Sequence, residues 1–222
     1  MKYNNNGKTL LLALGILCAS TLFTNSAVAD GGQSEGTSKW KETSGWHLGI
    51  HFLSNNIGTE RPVSENAFAV EEDGGGGSLF IGYDFTPVFG LRLAFANARH
   101  ETNFVNNEVD HASATLEAHF RFNEGRQTRP YLFGGIGGAS LINAAEPIET
   151  EVTGGVAVLG GGVQYQFSRR FSLDFGARLD MINWNEVRVT AEGNNGDRIE
   201  LSDPVEEDGS AFKLMLGLVW HL

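Results

Sequence analysis

The sequence has 222 residues with 29 Gly, 5 Pro and a single Cys, and its 16 basic against 27 acidic side chains give a formal charge of −11. Glycine is about twice as frequent as in an average protein while proline is scarce, which argues against a Pro/Gly-rich disordered chain, and no Gly-X-Y period indicates collagen. The acidic balance argues against a nucleic-acid-binding protein, because such proteins carry a basic face.

The first 29 residues have the pattern of a cleaved secretory signal peptide. Lys2 and Lys8 give a positively charged start, which is followed by an apolar stretch over residues 10–23. Ala27-Val28-Ala29 then offers the small-x-small site at which such signals are cleaved. We therefore expect this segment to be removed on secretion.

The mature chain is expected to start at Asp30 and to lack cysteine, because Cys18 lies within the signal peptide. Disulfides and thiol catalysis are therefore not expected. The loss of two lysines and no acids leaves 14 basic and 27 acidic residues, a formal charge of −13. Residues 30–44 are polar and rich in Gly and Ser, which predicts a flexible leader before one domain over residues 45–222.

Eight segments of this domain alternate between large apolar residues and small or polar ones, the period of a β-strand with two different faces. The segments cover residues 46–52, 78–85, 91–96, 115–122, 131–142, 159–167, 171–181 and 212–222. In the seventh, Phe171, Leu173 and Phe175 alternate with Ser172 and Asp174. The fifth segment is rich in glycine, and both assignments of its two faces stay open.

The connections between these segments alternate between short and long. Short turns are predicted at 86–89, 123–129 and 168–170, and longer polar loops at 54–77, 100–111, 143–153 and 185–210. Short-then-long alternation with an even number of strands is typical of an up-and-down transmembrane β-barrel. No run in the mature chain reaches the roughly 18 apolar residues that a membrane helix needs.

A soluble β-sandwich or lipocalin-like barrel is the alternative, and it would turn its large apolar residues inward. Here one face holds the large apolar residues and the other holds charged and small ones, which suit lipid and a narrow eight-stranded lumen respectively. Aromatic residues near the short turns also predict an interfacial girdle. The predicted girdle consists of Trp46, Tyr83, Phe85, Phe122, Tyr131, Phe167, Phe171 and Trp220.

Three stretches of the chain resemble the eight-stranded outer-membrane barrels, the group of OmpA-like, OmpX, OmpW and opacity proteins. Residues 129–139, RPYLFGGIGGA, are similar to the R-P-Y-x-G-x-G-x-G stretch that opens the fifth strand in that family. Residues 170–178 resemble its seventh strand, and residues 212–222 resemble its C-terminal assembly signal, although His221-Leu222 stands where the family usually ends in Phe.

This resemblance implies a multi-pass protein of the outer membrane, surrounded by membrane lipid and lipopolysaccharide. It also implies periplasmic chaperones and the outer-membrane assembly machinery as partners during biogenesis. The family identifies a fold more than an activity.

Eight charged residues are predicted to face the lumen, and their formal charges sum to zero. They are Asp84, Arg92, Glu117, Arg121, Asp174, Arg178, Asp180 and Lys213. Because buried charges must be paired, we expect them to plug the lumen, with a gated ion path as the alternative. Asp84 and Arg92 are equidistant from a turn centred near Val88, and are expected to lie opposite each other. Asp180 and Lys213 are expected to form a second pair.

Four histidines are also predicted to face the lumen. They are His47, His51, His119 and His221. Barrel closure would bring His47 beside His221, whereas His47 and His51 lie ~13 Å apart along one strand and are too distant to chelate together. We therefore predict hydrogen-bonded histidines, with no metal site and no cofactor.

Some barrels of this size modify lipid A, and such an enzyme needs a lipid-facing His and Ser oriented by a carboxylate. The predicted strands present no outward histidine. His100 and Glu101 at the start of the second long loop are the remaining candidates, and they have no clear serine partner. We therefore predict a protein without catalytic residues.

The four long loops carry 19 of the 27 acidic residues and only three arginines. The fourth loop, residues 185–210, is predicted to form a hairpin that projects past the membrane, with an additional membrane pair, and so ten strands, as the alternative. These features predict a structural or surface-interaction role, with the extracellular partner unknown. A narrow cation-preferring or small-solute channel is the second hypothesis.

Overall fold

In the computed structural model, eight antiparallel strands run up and down and close into one barrel in chain order. The structure describes residues 44–59, 70–102, 108–145, 148–192 and 198–222. The strands are β1 (Gly45–Thr59), β2 (Val70–Asp84), β3 (Phe89–Thr102), β4 (Glu108–Arg121), β5 (Thr128–Ala145), β6 (Ile148–Gln166), β7 (Phe171–Glu192) and β8 (Arg198–His221). The predicted signal peptide and nearly all of the leader lie outside the described residues.

The barrel closes because β1 pairs with both β2 and β8. Every strand therefore has two partners in the barrel wall, where the sheet closes on itself. Residues 198–208 of β8 extend past the last β1–β8 pair, Thr59 with Gly209, and pair with β7 alone. Closure is the condition for crossing a membrane with strands, since the bilayer core offers no water to backbone groups. Among the described residues, no helix is long and apolar enough to span a membrane. The predicted eight-stranded up-and-down barrel is confirmed.

Side chains are distributed in the opposite way to a soluble barrel. On the outer surface Phe52 is 73% exposed and Phe175 is 61% exposed, whereas Lys213 and Asp180 in the lumen are at most 1% exposed. Burial alternates residue by residue, as in β4, because successive side chains of a strand point to opposite faces. An apolar exterior of this kind is matched to lipid rather than to water.

Side-chain oxygens fix the two tightest turns. In the first turn, Thr86 Oγ1 accepts hydrogen bonds from the N–H groups of Val88 and Phe89, at 3.3 and 3.0 Å. In the third turn, Ser168 Oγ accepts bonds from the N–H groups of Arg170 and Phe171, at 3.3 and 2.9 Å. A hydroxyl at the first position of a turn is a common way to stabilise it.

Strands β7 and β8 are the longest of the barrel, and β6 accompanies β7 up to the pair of Ile148 with Ala191. Strands β7 and β8 have 22 and 24 residues, against the roughly 9–11 needed to cross a bilayer. They stay paired up to Glu192 and Arg198, with a bulge between Trp184 and Glu186. The segment predicted as the fourth loop is therefore a hairpin formed by these two strands, and the ten-stranded alternative is wrong.

Glycines on the lumen side leave room for large side chains of the neighbouring strands. Tyr131 on β5 lies over Gly162 and Gly176, which are its successive neighbours across β6 and β7. A Cβ on Gly162 would lie 2.7 Å from the Tyr131 hydroxyl, and one on Gly176 would lie 2.6 Å from it. Phe133 lies over Gly160 in the same way. Much of the glycine excess therefore serves to fit aromatic rings into a narrow lumen.

We predict that Gly162→Ala lowers the stability of the folded barrel, because the new methyl group would overlap both the Tyr131 hydroxyl and the backbone of β7. Overpacking of this kind typically costs about 1–3 kcal/mol. The measurement is urea-induced unfolding in lipid vesicles, followed by the loss of the fast-migrating folded band on unboiled gels. Gly155→Ala is the matched control, since a Cβ there meets nothing within 4 Å. Equal stability of the two variants would contradict the packing explanation.

Candidate functional site

The lumen is the candidate site, and its charges form clusters at successive heights. In the cluster beside the short turns, Arg121 Nη1 donates to Asp84 Oδ1 at 2.5 Å. His47 Nδ1 lies 3.4 Å from the other oxygen of Asp84. Both side chains of the Asp84–Arg121 pair are at most 8% exposed, so it is a buried ion pair between β2 and β4.

The predicted pairing of Asp84 with Arg92 is wrong. Asp84 lies opposite Gly90, and Arg92 lies opposite Gly82. The Thr86-capped turn is centred on residue 87 rather than on Val88, and moving the centre by one residue moves every partner by two. Arg92 instead places its guanidinium carbon 3.8 Å from the centre of the Phe80 ring, a cation–π contact in the lumen.

In the next cluster, Asp174 connects three strands of the barrel through its carboxylate. Its carboxylate accepts a hydrogen bond from the Tyr131 hydroxyl at 2.7 Å, and its other oxygen lies 3.2 Å from His51 Nε2. Asp174 is on β7, Tyr131 on β5 and His51 on β1. Because these strands are not adjacent, both contacts reach across the lumen.

The assignment of Tyr131 to the aromatic girdle is corrected by this contact. Tyr131 is 2% exposed and points inward, as does Phe133, whereas Leu132 and Ile136 point outward. The inward face of β5 therefore carries the aromatic rings that lie over the glycines of β6. The remaining girdle residues lie on the outer surface near the short turns, where Trp46 packs on Tyr83 at 5.2 Å and Phe171 on Trp220 at 6.3 Å between ring centroids. Their contact with the lipid headgroups stays a prediction.

The largest cluster is a chain of four charges that crosses the lumen from β4 to β8. Arg178 donates from Nη1 to Glu117 at 2.6 Å and from Nε to Asp180 at 2.5 Å. Lys213 Nζ donates to the second oxygen of Asp180 at 2.7 Å, which brings together the predicted Asp180–Lys213 pair. All four side chains are at most 5% exposed. Because water screens these buried charges only weakly, removal of one member leaves its partners as buried charges without compensation.

The four predicted lumen histidines all lie inside the barrel. His119 stacks on Phe133 with ring centroids 4.8 Å apart, and its Nε2 lies 3.0 Å from Glu117. His47 and His221 are cross-strand neighbours with ring centroids 6.2 Å apart. His221 Nε2 also lies 2.9 Å from Ser172 Oγ.

The Ser172–His221 contact lacks the third member of a catalytic triad within the described strands. The nearby carboxylate of Asp84 contacts His47 and Arg121 rather than His221. Ser172 is also buried on the lumen side, with 2% of its surface exposed. The pair therefore has neither an orienting acid nor access to a substrate.

The lumen near the long loops also contains buried residues that the sequence pattern does not predict, among them two histidines and Asn55. The sequence predicts a loop for His100 and His111, yet both lie inside the barrel wall with at most 1% of their surface exposed, as does Asn55. The alternation that places Arg92 inside reaches His100, and the alternation that places Glu117 inside reaches His111. Following the period past the last apolar residue would have located both. Across the parts of the chain that the structure describes, no group of three or more His, Cys, Asp or Glu could hold a metal ion.

The closed barrel, apolar outside and charged inside, agrees with the comparison against protein families. The model of the outer membrane protein beta-barrel domain matches residues 9–217. The chain belongs to this family. It is therefore a protein of the outer membrane of a Gram-negative envelope, which it crosses with its strands. A search of curated proteins found no match.

Solved outer-membrane proteins share this fold at low sequence identity. Neisserial surface protein A (NspA) is 13% identical, with 81% of this chain and 98% of that protein covered and a TM-score of 0.60. A major outer membrane protein from Thermus thermophilus is 14% identical, with coverages of 80% and 99% and a TM-score of 0.56. Ail, the attachment invasion locus protein of Yersinia pestis, is 16% identical, with coverages of 81% and 100% and a TM-score of 0.50. At these identities the similarity concerns the fold alone.

We predict that Arg178→Ala destabilises the barrel by about 3–5 kcal/mol, because it leaves Glu117 and Asp180 buried with fewer partners. The measurement is the free energy of unfolding by urea in lipid vesicles, followed by tryptophan fluorescence. Adding Glu117→Gln to this variant should recover part of the loss.

Arg99→Ala is the matched control for this prediction. Arg99 also contacts two carboxylates, those of Glu108 and Asp110 at 2.8 and 3.1 Å, but its side chain is 59% exposed. An exposed pair contributes about 1 kcal/mol or less. A loss in Arg178→Ala no larger than in Arg99→Ala would contradict the assigned role of burial.

Proposed function

We propose that this outer-membrane barrel is a non-catalytic surface protein, which acts through its acidic loops and the β7–β8 hairpin while its lumen stays closed. The observation that carries the proposal is the set of ion pairs that cross the lumen. In this proposal the barrel anchors the protein in lipid, and the β7–β8 hairpin makes the contacts outside the membrane.

The cross-lumen contacts support a closed barrel. Asp174 contacts β1 and β5, and Arg178 contacts β4 from the opposite wall. A conducting path would have to separate these charges, and each separation leaves a charge in a poorly solvated interior. The apolar side chains of Phe133, Trp184 and Met215 fill further lumen space.

The β7–β8 hairpin supports an external contact surface. Its strands hold each other through backbone pairing, and Arg188 on β7 contacts Glu200 on β8 at 3.0 Å and Glu186 at 3.5 Å. Asn183 and Asp208 form a further link between the two strands at 3.1 Å. A paired ribbon of this length costs less entropy on binding than a free loop, because its backbone is already ordered.

The charge of the loops suggests the chemistry of a partner. With 19 of 27 acids in the segments predicted as long loops, the external face favours cationic surfaces, or divalent ions shared with lipopolysaccharide. Ail has been solved in complex with the heparin analogue sucrose octasulfate, whose sulfate groups are anionic. The acidic loops of the present chain would repel such a ligand, so a shared fold does not imply a shared partner.

Biogenesis requires partners of its own. We include the periplasmic chaperones and the outer-membrane assembly machinery in the proposal, since β8 provides the final strand that pairs with β1 and closes the barrel.

We predict that the wild-type protein produces no conductance steps in planar lipid bilayers, and that Arg121→Ala does. This substitution removes the partner of Asp84 and opens space beside the short turns. Arg99→Ala, which changes an exposed pair outside the lumen, should be silent like the wild type. Regular steps in the wild type would contradict the closed lumen and support a channel.

We predict that a glutamate-specific protease added to intact cells cleaves within residues 185–210, which contain Glu186, Glu192 and Glu200. Glu124, in a short turn, should be cleaved only after the outer membrane is permeabilised. Mass spectrometry of the fragments gives the sites. Cleavage at Glu124 on intact cells, with residues 185–210 protected, would show that the barrel has the opposite orientation.

A further inference from the structure

All six histidines of this chain lie in described strands on the lumen side, and two of them converge on one point near the long-loop end. Asn55 Nδ2 lies 2.9 Å from His100 Nε2 and 3.1 Å from His111 Nδ1. We propose that His100, His111 and Asn55 form a binding site for a divalent transition-metal ion of the Zn²⁺, Ni²⁺ or Cu²⁺ type.

The register of the strands places these residues together. Asn55 on β1 lies opposite Gly74 on β2, and Gly74 lies opposite His100 on β3. His111 on β4 is one diagonal step from His100, since it pairs with Ala98. A Cβ on Gly74 would lie 2.5 Å from the Cε1 atom of His100, so only a glycine lets the imidazole reach across β2 towards Asn55.

The hydrogen bonds show that both imidazoles offer lone pairs. The amide N–H₂ of Asn55 has two hydrogens and donates one to each ring, which requires His100 Nε2 and His111 Nδ1 to be unprotonated acceptors. Two neutral imidazole nitrogens directed at the same place are the first requirement of a transition-metal site, where the metal–nitrogen distance is roughly 2.0–2.1 Å.

A third donor is available at the same place. Asn55 Oδ1 is buried and has no hydrogen-bond partner among the described residues, although Asn55 is only 1% exposed. Rotation of the amide by half a turn exchanges Nδ2 for Oδ1 and directs a carbonyl oxygen between the two rings. A metal ion would thus satisfy an acceptor that the protein alone leaves unpaired.

The charged residues that surround the site are paired with one another. Lys213, the neighbour of Asn55 on β8, is bound to Asp180 at 2.7 Å, and Arg178 is shared between Asp180 and Glu117. These two acids and two bases cancel in formal charge. Nitrogen donors favour Zn²⁺, Ni²⁺ and Cu²⁺ over Ca²⁺ and Mg²⁺, and the acidic loops raise the local concentration of divalent cations.

The test uses the mature chain without a polyhistidine tag, folded in detergent and stripped of metal with a chelator. Zn²⁺, Ni²⁺ and Cu²⁺ are titrated separately by calorimetry, and bound Cu²⁺ is examined by electron paramagnetic resonance. We expect one ion per chain, nitrogen hyperfine splitting from two imidazoles, and no binding of Ca²⁺. We expect His100→Gln and His111→Gln each to weaken binding by at least roughly tenfold, the loss that even outer partners of a metal site cause.

His221→Gln is the matched control, because His221 and His47 form the other pair of neighbouring lumen histidines. It should bind the ion as the wild type does. Folding of each variant is checked by its gel mobility before boiling, and Asn55→Asp provides a second measurement, since a carboxylate at the third position should tighten binding. No binding by the wild type, or a loss confined to His221→Gln, would overturn the proposal.

Discussion

The width of the lumen is the constraint on which the other features of this barrel depend. Eight strands enclose a space in which large side chains cannot occupy every inward position. The chain meets this limit by placing a glycine beside several of the large inward rings: Gly162 beside Tyr131, Gly160 beside Phe133, Gly49 beside Phe80 and Gly74 beside His100. Each of these rings then extends over a neighbouring strand, so that the rings do not all crowd the centre of the lumen. A composition that would weaken an ordinary sheet is here a condition of packing.

The same narrowness dictates how the charges are arranged. A side chain on one wall reaches the opposite wall within a single hydrogen bond, so Arg178 on β7 binds Glu117 on β4. Buried pairs of this kind add little net stability compared with an apolar core, but they are costly to break. They therefore specify one arrangement of the lumen more than they strengthen it.

The sequence was sufficient to predict the strand number, the closed topology and the inward direction of the eight lumen charges, since alternation is a local property of a strand. It predicts the pair of Asp180 and Lys213 on adjacent strands, but not the pairings that depend on the exact turn geometry or on contacts across the lumen. Asp84 therefore binds Arg121 of β4, and the one-residue difference in the turn centre separates it from Arg92. The sequence predicts Tyr131 on the lipid side because it is a large aromatic residue near a short turn, whereas the glycines of β6 and β7 make room for its ring in the lumen.

The bulge in β7 has a consequence for where the membrane ends. Below it, Trp184 points inward opposite Gly154, and Leu179 and Met181 face the outside. Above it, Glu186 lies opposite Thr153, so one additional residue turns the side chains of β7 to the other face. Glu186 and Arg188 thus lie on the outer surface, the same face that Leu179 and Met181 occupy on the other side of the bulge. A charged outer face is unsuited to hydrocarbon. The exposed pair of Asn183 and Asp208 lies just before the bulge, so lipid contact ends no higher than the bulge itself.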